Sequence, residues 1–415
     1  MINNMAKKSK TPPASGVSSS ISSDFGMFLK EQQPELLINF ENYNKLKTGL
    51  DLLDTIIGGG ARMKFNQIVG QSGGGKSLLM GHLLKTNQEL YGKKFISIYF
   101  DTEESVDARR LSQLGVPYPD HVNLIRHTSL EKIFSVIESL CVYKESNPET
   151  LETPSLIIWD SIANTHLDKT LKTEDKSGET DAMIFAKEAK RLLKKYIPLF
   201  GLYNITCISI NQLNDEIDMD GKFSGKQRDL RFLKNKKQIP GGASVRHNSY
   251  LLLGLRQTKE HDETLMDMTA SSVELVAIKN KEFTPNIKIE LICNYRDGFH
   301  NFWTNVFLLK NHKYMTAGAW CYLNSCPDIK FRHAKAYETY LNNEKFKEHF
   351  DADVKDCLYK NYVVPYGYDE EKKLEIEKNE KYDQDIDDDV LENLAMFDKY
   401  ENTDDDEILD EEGEE

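Results

Sequence analysis

The stretch Gly70-Gln71-Ser72-Gly73-Gly74-Gly75-Lys76-Ser77 decides how this chain is read. It fits G-x-x-x-x-G-K-[ST], follows the apolar run FNQIV at 65–69 and leads into the helix-forming run LLMGHLLK at 78–85. A strand, a glycine-rich loop and a helix start are the setting in which that pattern cradles phosphate. The glycines let successive backbone N–H groups turn toward a β-phosphate at a helix N-terminus, where the helix dipole also favours negative charge. Lys76 then bridges β and γ oxygens, and the Ser77 hydroxyl is a hard oxygen donor for Mg²⁺. All eight residues are the expected cradle of a nucleoside triphosphate.

Two further apolar runs end in carboxylates. SLIIWD at 155–160 closes on Asp160, the layout of a strand whose aspartate holds the water shell of Mg²⁺. KFISIYFD at 94–101 is followed by Thr102 and Glu103. That places Glu103 just past a strand tip, where a carboxylate polarises the water that attacks a γ-phosphate. An aspartate capping a buried strand and an acid at a helix N-cap are the plainer readings of these two residues. The phosphate loop upstream favours the metal and catalytic roles.

Around these motifs, from about Tyr43 to Gly298, β-rich apolar runs alternate with segments of helical period. This is the pattern of an α/β core with a mainly parallel sheet and helices on both faces. The expected strands are FNQIVG, KFISIYFD, SLIIWD, ITCISIN, SYLLLGL, VELVAIK and IKIELIC. Helices are expected after Gly75, from Val106, from Leu130 and over Asp181–Lys195, where apolar residues recur three and four apart. Four parts follow: an arm over 1–34, the core over 35–298, a small α-rich domain over 299–367 with Phe331–Tyr362 helical, and an acidic tail over 368–415.

Composition narrows the partners. No apolar run approaches the ~20 residues that cross a bilayer, so no membrane partner is expected. The opening MINNMAKKSKTPPASGVSSS has no apolar run behind its basic positions and is not a secretory signal. Six scattered cysteines are too few for a disulfide framework and fit a reducing, cytoplasmic compartment. Cys321 and Cys326, with His333 nearby, lack a fourth ligand and match no common zinc spacing. The net charge of −14 argues at first against nucleic acid, yet 23 acids and only 5 lysines fall between Tyr368 and Glu415. That segment carries −18 and the remainder +4, a mildly basic body joined to a self-repelling tail that is expected to be disordered. Such a tail is a solubility element or a phosphate mimic that competes for a basic surface.

In their order along the chain, the landmarks from about Leu46 to Lys281 resemble the RecA family of recombinases. Thr48-Gly49-Leu50-Asp51-Leu52-Leu53-Asp54 with Gly58-Gly59-Gly60 is similar to the T-G-x-x-x-L-D stretch ahead of that family's phosphate loop. Asp101-Thr102-Glu103 is similar to its D-x-E, with Asp107 and then Leu114-Gly115-Val116 at the family's spacing. Asp160-Ser161 resembles its D-S, Ile210-Asn211-Gln212 its I-N-Q, and Lys279-Asn280-Lys281 its K-x-K. The resemblance implies a RecA-like ATPase core using ATP and Mg²⁺. Glu103 would be the catalytic base and Gln212 the sensor that relays the γ-phosphate to a DNA loop. Lys279 and Lys281 would reach the ATP of the neighbouring subunit, and Asp107 and Arg110 would lie along the nucleotide. Arg110 stands where bacterial RecA proteins stack a tyrosine on adenine, so a guanidinium would take that place. The stretch from Ala186 to Asn211, the insert sizes, the acidic tail and FKEHF at 346–350 are similar to phage UvsX-like recombinases, which implies a host-cell cytoplasm.

Two loops are the expected DNA contacts. The first, between Asn164 and Asp181, offers Lys169, Lys172 and Lys176. The second, Leu213 to Pro240, is long and has no strong period, the mark of a functional loop. Its second half, Lys222 to Gln238, holds Lys222, Lys226, Arg228, Arg231, Lys234, Lys236 and Lys237 against one acid, Asp229, with Phe223 and Phe232 between them. Cations that track phosphates, interleaved with aromatics that stack on bases, suit single-stranded DNA held without sequence preference. Taken alone, the same residues would pass for a solvated lysine-rich loop.

The expected function is ATP-dependent homologous recombination: a homo-oligomeric filament on single-stranded DNA that pairs with double-stranded DNA and exchanges strands while hydrolysing ATP. Single-strand-binding and mediator proteins are further expected partners, and Ile21, Phe25 and Phe28 are the arm's anchors for docking on the next subunit. A hexameric helicase on the same core and a regulatory ATP-binding paralogue are the alternatives. Lys279-Asn280-Lys281 favours the recombinase over the first, and Glu103 argues against the second.

Overall fold

The computed structural model describes residues 45–116, 118–168, 181–215, 237–239, 241–265 and 268–366, all within the compact unit that starts at Lys45. The arm over 1–34 with Ile21, Phe25 and Phe28 lies outside the described residues, as does the acidic segment 368–415.

A short helix α1 (Asp51–Ile56) precedes strand β1 (Phe65–Gly70), and the phosphate loop joins β1 to helix α2 (Lys76–Tyr91). Next come β2 (Ile96–Asp101), α3 (Ala108–Gln113), β3 (Asn123–Ile125), α4 (Leu130–Ser146) and β4 (Ser155–Asp160). Helix α5 (Asp181–Leu202), β5 (Ile205–Gln212) and α6 (Gly242–Asn248) follow. The chain then runs through β6 (Leu251–Leu265), β7 (Met268–Asn280), β8 (Lys288–Asn294) and β9 (Gly298–Phe299). These strands form one nine-stranded sheet in the order β9-β8-β7-β6-β1-β5-β4-β2-β3.

From β6 through β1 to β3 every neighbouring pair is parallel. From β6 outward to β9 the pairs are antiparallel. All seven expected strands are present, but the alternation with helices stops at β6. The strands after it return antiparallel and need no crossover helix between them.

The period of two along each strand separates the two faces. Ile98, Phe100, Ile157 and Trp159 point to the side where Phe134 and Ile137 of α4 and Leu193 and Tyr196 of α5 pack. Tyr99, Leu156 and Ile158 point to the other, against Leu79, Met80 and Leu83 of α2. Each such aliphatic or aromatic side chain taken fully out of water is worth about 1.5–3 kcal/mol. Among the described residues, β1 is buried along its whole length, and each of its two side-chain amides has one half hydrogen-bonded, Asn66 Oδ1 and Gln67 Nε2 having no partner. Asn66 donates to the carbonyls of Arg62 and Lys64, and Gln67 accepts from the Ser249 hydroxyl at 2.8 Å.

Beyond the sheet lie α7 (Asn301–Asn311), a three-stranded sheet of β10 (Met315–Thr316), β11 (Cys321–Leu323) and β12 (Cys326–Phe331), and helices α8 (Ala336–Asn342) and α9 (Glu344–Leu358). The continuous helix expected over Phe331–Tyr362 is divided. Phe331 pairs with Cys321 at the end of β12, and the Asn343 side chain caps α9 by accepting from the Phe346 N–H. Trp303, Phe346 and Phe350 belong to the same buried cluster as Leu79 and Met80. Among the described residues no helix is long and apolar enough to cross a membrane.

Candidate active site

Where the parallel strands stop, four chain segments meet. The register sets Gly70 of β1 beside Gln212 of β5, and Asp101 of β2 beside Asp160 of β4. Open α/β sheets place their ligand crevice at these carboxyl ends. Here the crevice is a cavity of ≈ 480 Å³ lined by the phosphate loop from Ser72 to Ser77 together with Glu103, Asp160, Gln212, Arg110 and Tyr295.

The loop's glycines answer to packing as well as to torsion. A Cβ on Gly70 would lie 2.4 Å from the Leu255 carbonyl oxygen of β6, so β1 runs this close only as glycine. Gly75, the last residue before α2, has φ 88°, in the left-handed region that glycine enters without steric cost. Lys76 is 7% exposed, and its Nζ donates to the carbonyls of Gly70 at 3.0 Å and Gln71 at 2.7 Å. An ammonium has three donors, so one remains for an oxygen arriving in the cavity. Burial lowers the Lys76 pKa, and the charges of Asp160 and Glu103 oppose that.

Asp160, 4% exposed, accepts from the Tyr99 hydroxyl at 2.7 Å and from the Ser77 hydroxyl at 3.4 Å, both on Oδ2. Burial pushes its carboxyl up to about 6; the Tyr99 hydrogen bond and Lys76 work against this, while Glu103 and Asp101 add to it. A buried carboxylate beside a hydroxyl gains from a hard cation, and Ser77 with Asp160 fits the oxygen-donor chemistry of Mg²⁺. Among the described residues no group of three or more His, Cys, Asp and Glu could hold a metal by itself. Water and nucleotide oxygens would complete the coordination.

Glu103 is held by Ser161, the residue after β4, and by Gln212, the last residue of β5. Ser161 Oγ donates to its Oε1 at 2.8 Å, and Gln212 Nε2 donates to Oε1 at 3.1 Å and to Oε2 at 3.3 Å. The turn that carries Glu103 is pinned from both sides. Thr102 Oγ1 accepts from the Ser161 N–H at 2.7 Å. Fully buried Asp101 accepts from the N–H groups of Ser105 and Val106 at 3.0 and 3.1 Å and pairs with Arg126 at 3.4 Å. Sequence reasoning gave no role to Asp101, Tyr99 or Ser161. An aspartate at a strand end before a polar turn is the signal that could have marked Asp101 as a cap for the turn's N–H groups.

Asp107 lines the cavity and caps α3, its Oδ1 accepting from the Arg109 N–H at 2.7 Å; Arg109 holds the carboxyl below its ordinary pKa. Arg110 lies with its guanidinium 4.1 Å from the centroid of the Tyr295 ring and donates to the Tyr295 carbonyl. Tyr295 is 74% exposed and adds an aromatic face that sequence reasoning missed. Its only local signal is an aromatic directly after the strand IKIELICN.

Two expected catalytic residues stand apart from this chain's cavity. Leu255 of β6 pairs with Gly70 on one side and Leu275 on the other, whereas Leu252 pairs with Gln67 and Lys279. Lys279 and Lys281 therefore sit at the opposite end of the sheet from the phosphate loop. Lys279 Nζ donates to the carbonyls of Arg246 at 3.2 Å and His247 at 2.9 Å at the end of α6, and Lys281 Nζ lies 6.0 Å from the Tyr250 ring.

Of the expected DNA contacts, Lys169, Lys172, Lys176, Lys222, Phe223, Lys226, Arg228, Arg231, Phe232, Lys234 and Lys236 lie outside the described residues. The backbone of Lys237 is described: Lys237–Gln238 pairs antiparallel with Asn214–Asp215, clasping the two ends of the second loop. That clasp begins two residues after Gln212.

No profile of a known protein family matches the chain. It is similar to Protein RecA of two strains of Porphyromonas gingivalis, 23% identical over 253 residues that make up 60% of this chain and 65% of those proteins. It is also similar to Protein RecA of Ruminococcus albus, 24% identical over 258 residues, 61% of this chain and 57% of that protein. The chain thus spans less than two thirds of the length of these relatives. Together with a large, mostly parallel sheet bearing the phosphate loop, these distant relatives support a RecA-family protein.

Proposed function

We propose that this chain is a DNA-dependent ATPase of homologous recombination, of the phage UvsX-like type, that assembles into a filament on single-stranded DNA and exchanges strands with a homologous duplex. One observation carries the reading. Gln212 touches the carboxylate best placed to act on water, and its strand continues directly into the clasp of the second loop. A single side chain thus joins the hydrolytic site to the segment richest in cations and aromatics.

ATP would be held by the N–H groups of the phosphate loop and the third donor of Lys76, with Mg²⁺ on Ser77 and, through water, Asp160. Magnesium supplies charge neutralisation at the phosphates. Glu103, oriented by Ser161 and Gln212, positions and polarises the attacking water. Gln212 can donate either to Glu103 or to a phosphate oxygen, and the choice shifts the end of β5 and the clasp with it. The Arg110–Tyr295 stack forms the wall for the base. Lys279 and Lys281, facing away from their own cavity, act on the nucleotide of the next subunit, so turnover requires assembly. The cations and aromatics of the two loops hold DNA. Single-strand-binding and mediator proteins are partners, and the site of action is the cytoplasm, of a host cell if the source is a phage.

Negative-stain images of the protein with ATP and single-stranded DNA, alongside an ATPase assay with and without that DNA, test this reading. Helical filaments with DNA-stimulated turnover are expected. Closed six-membered rings would point to the helicase alternative, and turnover indifferent to DNA would overturn the link through Gln212.

A further inference from the structure

Tyr99 stands in the middle of β2, 2% exposed, with its ring in the buried cluster that also holds Leu79, Met80, Leu111 and Ile158. In the parallel register Tyr99 pairs with Ile158 of β4, and Asp101 pairs with Asp160. Because side chains two apart on a strand share a face, Tyr99 and Asp160 are diagonal neighbours on the side of the sheet where α2 begins. The phenol spans that diagonal. Its hydroxyl donates to Asp160 Oδ2 at 2.7 Å, and Tyr99 itself lines the cavity of the phosphate loop.

Packing does not ask for this hydroxyl. Phenylalanine would fill the same apolar space without bringing a polar atom that the interior must satisfy. The partner Tyr99 finds is instead one of the two residues that fit a hard cation. How the hydrogen bonds divide over that carboxylate matters. Tyr99 at 2.7 Å and Ser77 at 3.4 Å both meet Oδ2, and among the described residues no donor meets Oδ1. The last torsion of an aspartate is broad and roughly two-fold, so an unrestrained carboxylate exchanges its two oxygens. A short hydrogen bond from a ring locked in the core opposes that exchange. The Ser77 contact is long, and a serine hydroxyl that gives its oxygen to a cation is a weak restraint by itself.

We propose that Tyr99 is a positioning residue of the cation site: by holding Asp160 Oδ2 it keeps Oδ1 available to the water shell of a divalent cation bound with the nucleotide. The proposal rests on the reading above in which Ser77 and Asp160 serve Mg²⁺. Removing a partner that orients a ligating group typically weakens metal affinity by about 10–100-fold.

The test uses full-length protein, a fluorescent ADP and Mg²⁺ as the probe, with neither DNA nor turnover. In the parent, Mg²⁺ should tighten ADP binding. In Tyr99→Phe the Mg²⁺ concentration at half-effect should rise by about 10–100-fold. Affinity for ADP in EDTA should stay within about twofold, because the phosphate loop and Lys76 are unchanged. Melting in EDTA without nucleotide records the structural cost of the lost hydroxyl, and a merely structural role would leave the Mg²⁺ midpoint where it was. A midpoint within about twofold of the parent's would overturn the proposal while the cation reading stands. Binding of ADP to the parent that ignores Mg²⁺ would overturn the cation reading and the proposal with it. Should Tyr99→Phe not fold, 3-fluorotyrosine inserted at position 99 keeps the hydroxyl and reports on it. Its fluorine resonance should move when Mg²⁺ joins the ADP complex, and a resonance that stays in place would overturn the proposal.

Discussion

Replacing Glu103 by glutamine separates chemistry from structure at the candidate active site, because both of its strong donors meet the same oxygen. Ser161 at 2.8 Å and Gln212 at 3.1 Å each reach Oε1. A glutamine amide oxygen in that position keeps both bonds. The weaker contact, Gln212 to Oε2 at 3.3 Å, becomes N–H facing N–H. The structural loss is then one hydrogen bond to a charged group, about 1.5–3 kcal/mol. At about 2–4 °C per kcal/mol for a body of this size, the melting temperature should fall by about 3–12 °C. Folding therefore survives while hydrolysis does not: losing a general base slows turnover by about 10²–10⁴-fold, or about 2.7–5.4 kcal/mol of barrier. The assays are ATP turnover at saturating single-stranded DNA, affinity for a fluorescent nucleotide and thermal melting, all on Glu103→Gln and the unaltered protein. Turnover within a few-fold of the parent would refute the base assignment. So would a collapse of nucleotide affinity together with a large drop in melting temperature, which would make Glu103 a structural residue.

Two other outcomes follow from the geometry. Lys76→Ala and the double variant Lys279→Ala/Lys281→Ala should each lose turnover, yet mixing them should restore a fraction of it, since one supplies the intact lysine pair and the other intact cavities; no recovery at any ratio would show that Lys279 and Lys281 do not act between subunits. Lys144 is fully buried, its Nζ donates to the Thr153 carbonyl and the Ser155 hydroxyl, and burial depresses its pKa from 10.5 to about 8. Between those two values the unfolded chain binds more protons than the folded one, so stability should rise with pH through that window relative to Lys144→Met; parallel melting curves across it would show that Lys144 stays charged in the fold.

Several features of the site were legible because they are local. The phosphate loop needs glycine at consecutive positions with special torsions, and the strand before it and the helix after it are encoded by their own neighbours. Asp160 could be placed at a strand end from the apolar run SLIIWD alone. The partners of these residues could not be placed that way. Ser161 and Gln212 reach Glu103 from 58 and 109 positions away, and the Arg110–Tyr295 contact joins residues 185 apart. Nothing in the local pattern of any of these residues encodes its partner. The division of the expected helix over Phe331–Tyr362 has a similar cause. Apolar spacing there suits a helix throughout, but pairing of Phe331 with Cys321 and the Asn343 cap outweigh it.

By itself, then, the sequence determined the seven main strands, the phosphate loop, the two carboxylate-bearing strand ends and the charge division between a mildly basic body and an acidic segment. Each of these depends on residues within one or two turns or strands of one another, where the two-residue and 3.6-residue periods and glycine's torsional freedom act directly. Tertiary structure alone decided which strands lie side by side, and hence that Glu103, Asp160 and Gln212 share one cavity while Lys279 and Lys281 face the opposite end of the sheet. The physical reason is register. Every strand of the core could pair locally in several ways, and only packing helices against both faces of the whole sheet selects one alignment of its ends.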